Sequence, residues 1–97
     1  MTSKQRAKLR KLGNTMEAII FIGVNGITDA VVKETYDALE KRELIKCSVQ
    51  ENSSLDAKEA CNELCEKVYA EPIQVIGRKF ILYKESRNHK TIDLDNL

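Results

Sequence analysis

Three groups of residues in this 97-residue chain have the types and spacing that chemistry would need. Cys61 and Cys65 lie four apart, close enough on one helix face to share a metal ion. Glu34, Asp37 and Glu40 recur about one helical turn apart, as a cluster of acid–base carboxylates would. Gly23-Val24-Asn25-Gly26 places two glycines at the end of an apolar run. A zinc site needs about four ligands, and the only histidine, His89, stands in the C-terminal segment. Both cysteines also fall on an apolar helical stripe, so they read as buried core thiols. Nothing near the three carboxylates predicts a displaced pKa, so they read as a solvated helix face. No catalytic residue, metal, cofactor or small-molecule substrate is expected.

The glycine pair carries more information through its position than its pattern. "IIFIGVNGIT" leaves a short β-branched run and enters a helix start at Thr28. Amides in the first turn of a helix are unpaired and carry partial positive charge, which attracts anions. Glycines without Cβ let a phosphodiester backbone approach those amides, as in the clamping loops of some RNA-binding modules. The plain alternative is that both glycines serve turn dihedrals. A dinucleotide site would need a third glycine, and a phosphate loop would need Gly-Lys-Ser/Thr, and neither is present.

The elements that must hold this loop are readable from periodicity. Thr2 followed by Gln5 is a capping box, so a helix begins near residue 3 and stops at Gly13-Asn14. "AIIFI" (18–22) reads as a buried strand. From Thr28 to about Arg42, Val31, Val32, Thr35, Ala38 and Leu39 recur at helical spacing. Leu44 to Gln50 alternates, with Ile45, Cys47 and Val49 inward and Lys46, Ser48 and Gln50 outward. Asp56 and Glu59 form a second capping box, opening a helix with the stripe Ala57, Ala60, Cys61, Leu64, Cys65 and Val68. Pro72 ends helical possibilities, and "IQVI" and "KFILY" flank Gly77-Arg78 as a tight hairpin. The expected fold is α/β, a single domain ordered helix-β-α-β-α-β-β, its four-stranded mixed sheet covered by helices. Residues 1–86 form the domain, and residues 87–97, which show no periodicity, form a loose tail.

Composition excludes several classes. With 42% hydrophobic and 32% charged residues, the chain reads as a globular protein. No apolar run approaches the ~20 residues of a membrane span, and three cysteines without framework spacing fit a reducing compartment, so cytoplasmic residence is expected. The net charge of +1 conceals strong segregation. Lys4, Arg6, Lys8, Arg10 and Lys11 stand in the first twelve residues without an acid. Arg78, Lys79, Lys84, Arg87 and Lys90 face only Glu85 in residues 78–90, while the middle of the chain is acidic. Such segregation predicts one positive face. The five aromatics offer little for stacking: Phe21 and Phe80 sit in buried-strand patterns and are expected in the core. Contact with nucleic acid would then be to backbone and shape.

These residues resemble a known family. "TSKQRAKLRKL", "IGVNGIT" with the following Ala38-Leu39, "ELIKC" and "VIGRKFILYKES" are similar, in order, to the CRM domain (chloroplast RNA splicing and ribosome maturation), in its free-standing bacterial YhbY-like form. The resemblance covers about residues 2–86. It implies a fold akin to the C-terminal domain of translation initiation factor 3, RNA binding, and association with precursors of the large ribosomal subunit. It also implies that Gly23, Val24, Asn25 and Gly26 contact RNA, with phosphate contacts from Lys4, Arg6, Lys8, Arg10, Lys11, Arg78 and Lys79; Lys84, where the last strand emerges, adds another cation. The family often places lysine after the first glycine. Val24 stands there in this chain and shifts the load to backbone amides, Asn25 and the flanking cations.

The expected activity is therefore non-enzymatic capture of rRNA phosphates by a monomer in assembly of the large subunit. Two competing readings are an adaptor that docks a protein through the acidic second and third helices, and a small hydrolase.

Overall fold

Two reciprocal capping boxes start the first and third helices. Thr2 Oγ1 accepts from the Gln5 amide at 3.0 Å while the Gln5 side chain accepts from the Thr2 amide. Asp56 and Glu59 repeat the arrangement. The computed structural model, which describes residues 1–97, has the order α1 (Ser3–Asn14), β1 (Ala18–Ile22), α2 (Asp29–Arg42), β2 (Leu44–Val49), α3 (Ala57–Val68), β3 (Glu71–Ile76) and β4 (Lys79–Tyr83), then a 3-10 turn at Leu94–Asn96. The strands form one mixed sheet in the order β1-β2-β4-β3. β1 and β2 are parallel across the α2 crossover, and the remaining pairs are antiparallel. This is the α/β fold expected from the sequence. Pro72 is tolerated because β3 is an edge strand whose register shifts between Pro72 and Gln74.

The two sheet faces are covered unequally. α2 and α3 close one face around Ile20, Ile22, Leu39, Ile45, Cys47, Leu64, Phe80 and Leu82, all essentially inaccessible. Each such large side chain contributes about 1.5–3 kcal/mol by leaving water. The other face holds a smaller cluster of Leu9, Leu44, Ile73, Ile81 and Tyr83, covered by α1 and by Ile92, Leu94 and Leu97. Gly13 belongs to the last turn of α1 rather than lying beyond it. A Cβ there would come within 2.6 Å of Ile81 Cδ1, so only glycine lets the helix sit this close to the sheet.

Residues 87–97 differ from the expected loose tail, and the reason lies at the end of α2. The Glu43 side chain is fully buried and accepts from the amides of Ser86 (2.7 Å), Thr91 (2.6 Å) and Ile92 (2.8 Å). One turn earlier, Glu40 accepts from Ser86 Oγ and from the amides of Arg87 and Asn88. Two carboxylates near a helix C-terminus oppose the helix dipole, but here they gather the main-chain donors of a strap. Glu43 also holds φ 65°, a strained conformation for a side chain with a Cβ. Burial alone pushes its carboxyl up, yet the donors of Ser86, Ile92 and Thr91 outweigh this and leave the pKa below its ordinary 4.5. For Glu40, the Ser86 hydroxyl is the main cause of a downward shift.

This packing sets the outcome of three substitutions. Gly13→Ala should lower stability by about 1–2 kcal/mol in chemical denaturation despite alanine's helix propensity, because overpacking against Ile81 outweighs it. Glu43→Ala should cost about 2–3 kcal/mol and release residues 87–97 to hydrogen exchange, because buried amides lose their acceptor. The sign of the pH effect follows from the depressed folded pKa. Stability contributed by Glu43 is complete above pH 4.5 and is lost as pH falls through the lower folded value, so Glu43→Gln should flatten the acid limb of the stability curve.

Candidate nucleic-acid interface

The loop after β1 closes on itself through the Gly26 amide, which donates to the Gly23 carbonyl at 3.1 Å. Val24 and Asn25 form the exposed tip, and no intramolecular acceptor takes their amides. Gly26 has φ +67°, which favours glycine. Gly23 has no such need; a Cβ there would meet only the Gln50 Oε1 end of an exposed side chain, at 3.0 Å. The turn reading therefore explains Gly26, and openness of the loop is what Gly23 adds. The helix start is a weaker anion site than its position suggests. Thr28 Oγ1 already takes the Val31 amide at 3.2 Å, and Asp29 puts an acid in the first turn.

Strand register decides which cations stand beside this loop. The Gln50 amide donates to the Ile22 carbonyl at 2.8 Å, and the Val49 amide donates to the Arg78 carbonyl at 2.7 Å. The exit of β1, the exit of β2 and the tip of the β3–β4 hairpin thus share one end of the sheet. Gly77 at φ +58° opens that hairpin and carries Arg78 into solvent. Arg78 and Lys79 are exposed, and neither belongs to any of the four ion pairs. Lys46 joins them from the outward face of β2, its Nζ donating to the Asn14 carbonyl at 3.3 Å. Sequence reasoning passed over Lys46 because it lies in the acidic middle of the chain. Its outward alternation was the available signal.

The other basic residues are divided. Arg6 is committed to Glu71 and the Pro72 carbonyl at the start of β3, and Lys8 to the Leu97 carbonyl. Lys84 emerges at the opposite end of the sheet, donating to the Val68 carbonyl at 3.0 Å, with its ammonium 4.3 Å from the Tyr36 ring centre. It caps α3 rather than joining the loop. Lys4 and Lys11, seven residues apart, are exposed, and Arg10 is half-buried. Arg10 lies one turn nearer the C-terminus of α1 than Arg6, on the same flank. The single convergent surface expected from charge segregation is therefore smaller: Arg78 and Lys79 at the hairpin tip near the loop, and Lys46 one row back beside the end of α1, the helix that carries Arg10 and Lys11.

Phe21 corrects a second expectation. Phe80 is in the core at 1% exposure, but Phe21 is 53% exposed. β1 is an edge strand, and only its Ile20 and Ile22 side is covered. The apolar run concealed an alternation that burial on one face makes visible.

The remaining chemical candidates are structural. Cys47, Cys61 and Cys65 are buried and unbridged. Burial pushes the Cys47 thiol up, and Cys65 is pushed up chiefly by the hydrogen bond between Cys65 and Cys61, then by burial. Asp37 pairs with Lys33 at 2.8 Å. Glu40 leaves the expected solvated cluster for the strap. No three His, Cys, Asp or Glu side chains are grouped to hold a metal ion, and no helix is long and apolar enough to cross a membrane.

Comparison with known proteins places this geometry in a family. Residues 1–84 match the profile of the CRS1 / YhbY (CRM) domain. A Bacillus subtilis protein named "Probable RNA-binding protein YqeI" is 36% identical over 94 residues, covering 97% of this chain and 98% of its own length. A Haemophilus influenzae protein named as an RNA-binding protein is 29% identical over 90 residues, covering 93% and 91%. The solution structure of a Staphylococcus aureus protein aligns over 96% of this chain and 97% of its own, with 40% identity and a TM-score of 0.79. With its αβαβαββ order, its open glycine loop and this coverage, the chain belongs to the CRS1 / YhbY (CRM) domain family.

Proposed function

We propose that the protein binds RNA without catalysing a reaction, and that its target is precursor rRNA of the large ribosomal subunit in the cytoplasm. The observation that carries this reading is a set of cations outside every ion pair, Arg78 and Lys79 at the hairpin tip near the open Gly23–Gly26 turn and Lys46 one row further along the same sheet face. Three neighbouring cations without counter-charges can neutralise RNA phosphates and release the cations condensed on the RNA. The exposed amides of Val24 and Asn25 offer donors that need no cation in the loop, which suits the valine at that position. The names of the relatives support the RNA partner, and the family supports the ribosomal one. In this reading the protein acts as a monomer.

Counting Lys46, Arg78, Lys79, Arg10 and Lys11, about four or five phosphates are neutralised. The slope of log affinity against log salt should then be about −3 to −4. The full set of cations in the two basic blocks would give a steeper one. Arg78→Glu with Lys79→Glu should weaken RNA binding at least about tenfold at 0.1 M salt and flatten that slope. Arg6→Glu, which breaks a pairing with Glu71, should lower stability while leaving the slope unchanged. An adaptor using the acidic helices would be indifferent to the first change and would show nearly flat salt dependence. Crosslinking in cells followed by sequencing tests the target. Enrichment of large-subunit precursors is expected, and recovery of scattered messenger fragments alone would overturn the ribosomal assignment.

A further inference from the structure

One row of side chains crosses the whole sheet just past the end of α1. Phe21 pairs with Ser48, Ser48 with Lys79, and Lys79 with Ile76, so all four strands contribute one residue to the same face. The neighbouring residues Ile20, Ile22, Cys47, Val49 and Phe80 point the other way, into the α2–α3 core. α1 reaches only the adjacent row, where Gly13 rests on Ile81 and the Asn14 carbonyl meets Lys46. Beyond it Phe21 is 53% exposed and Ile76 56% exposed. Beside this row lies a cleft of about 290 Å³ between Asn14, Lys46, Gln74 and Lys79. The Gln74 Oε1 atom is buried there and has no hydrogen-bond partner. An unpaired acceptor of this kind costs about 1–3 kcal/mol and invites a donor.

Building on the proposed RNA binding, we propose that this bare row takes an unpaired nucleotide: its base stacks on Phe21, and Lys46 and Lys79 hold the adjoining phosphates. A flat ring on an open sheet surface is the platform on which single-stranded nucleic acid stacks, and stacking accepts any base. The two lysines have no acidic partner, and none of the cleft residues is acidic. A polyanion satisfies them, whereas an apolar protein partner would bury them unpaired at high cost. Gln74 stands on β3, about three strand spacings or ~14 Å from Phe21 on β1, so its acceptor suits an exocyclic amino group or ring N–H of the next nucleotide along the strand rather than of the stacked base. The cleft, about 290 Å³ and lined from α1, β2, β3 and β4 but not β1, is just below the usual range for ligand sites and has room for that neighbouring base. The row continues directly from the Gly23–Gly26 turn through Phe21 and Ile22, and from the Arg78 tip through Lys79. A strand of RNA crossing that end of the sheet thus passes from phosphate contacts to a base contact.

The full chain tests this with a labelled 12-nucleotide single-stranded RNA and a duplex of the same length. Phe21→Ala should weaken the single strand roughly 5- to 100-fold, leave the duplex unchanged and leave the salt slope unchanged. Phe21→Tyr should restore the single-strand affinity. Because the chain has no tryptophan but three tyrosines, Phe21→Trp supplies the one tryptophan, excited selectively on the red edge of its absorption, whose emission should be quenched by the single strand and not by the duplex. Single-strand binding that is insensitive to Phe21→Ala, with the salt slope intact, would overturn the stacking site and leave phosphate capture standing. Wild-type protein that binds neither RNA would overturn both. Self-association that Phe21→Ala abolishes would overturn the site by assigning this face to a second copy of the chain.

Discussion

How closely and how far α1 lies on the sheet governs the rest of the molecule. Its last turn touches Ile81 through Gly13, where any side chain would collide. Leu9 is buried one turn earlier. That contact sets the helix deep over β2, β4 and β3 and stops it short of the sheet's loop-bearing end. The uncovered remainder is about one strand row deep. A chain of this size has too little apolar material to close two faces of a four-stranded sheet, and the shortage falls where the glycine turn and the hairpin tip emerge.

The opposite end of the same face is closed by a different device. Glu40 and Glu43, in the last turn of α2 and at its cap, bind the main-chain donors of residues 86–92. The strap then lays Ile92, Leu94 and Leu97 against the cluster around Tyr83. The cost is a strained backbone at Glu43 and two acids near a helix C-terminus. Satisfying several amides with one buried carboxylate offsets it, because charge-assisted hydrogen bonds are about twice as strong as neutral ones. The arrangement also draws two carboxylates out of solvent, far from the end of the sheet that stays cationic.

Charge is thereby sorted by use. Arg6, Lys8 and Lys84 spend their donors on Glu71, Pro72, Leu97 and Val68, holding α1, the strap and the end of α3 in place. Arg78, Lys79 and Lys46 have no acidic partner and keep most of their donors free. The difference is one of position on the sheet. Arg6 and Lys84 stand where β3 begins and β4 ends, in reach of Glu71 and of main-chain carbonyls. The hairpin between those strands carries Arg78 and Lys79 out to an exposed tip, with Glu51, Asp56 and Glu59 lining the same cleft as Arg78 but forming no ion pair with it. A surface cation without a partner keeps its full long-range field, and that field steers a polyanion before any contact forms.

Much of this was legible along the chain. Capping boxes at Thr2 and Asp56, the apolar stripe of α3 and the hairpin at Gly77-Arg78 depend on residues within a few positions of each other, so local physics is enough to place them. The glycine turn and its neighbour Arg78 were legible as parts, but their adjacency required the strand order, which brings residue 49 against residue 78. The strap was invisible because its partners, Glu40 and Glu43, lie over forty residues away from it. Phe21 was misread for a related reason: an apolar run on an edge strand looks the same whether one face or both are covered. Residue types and local spacing determined the elements, the charge segregation and the loop. Only the tertiary packing decided which cations stayed free and which aromatic ring stayed in water, because the partners of a side chain and the coverage of a sheet face are set by residues distant in sequence.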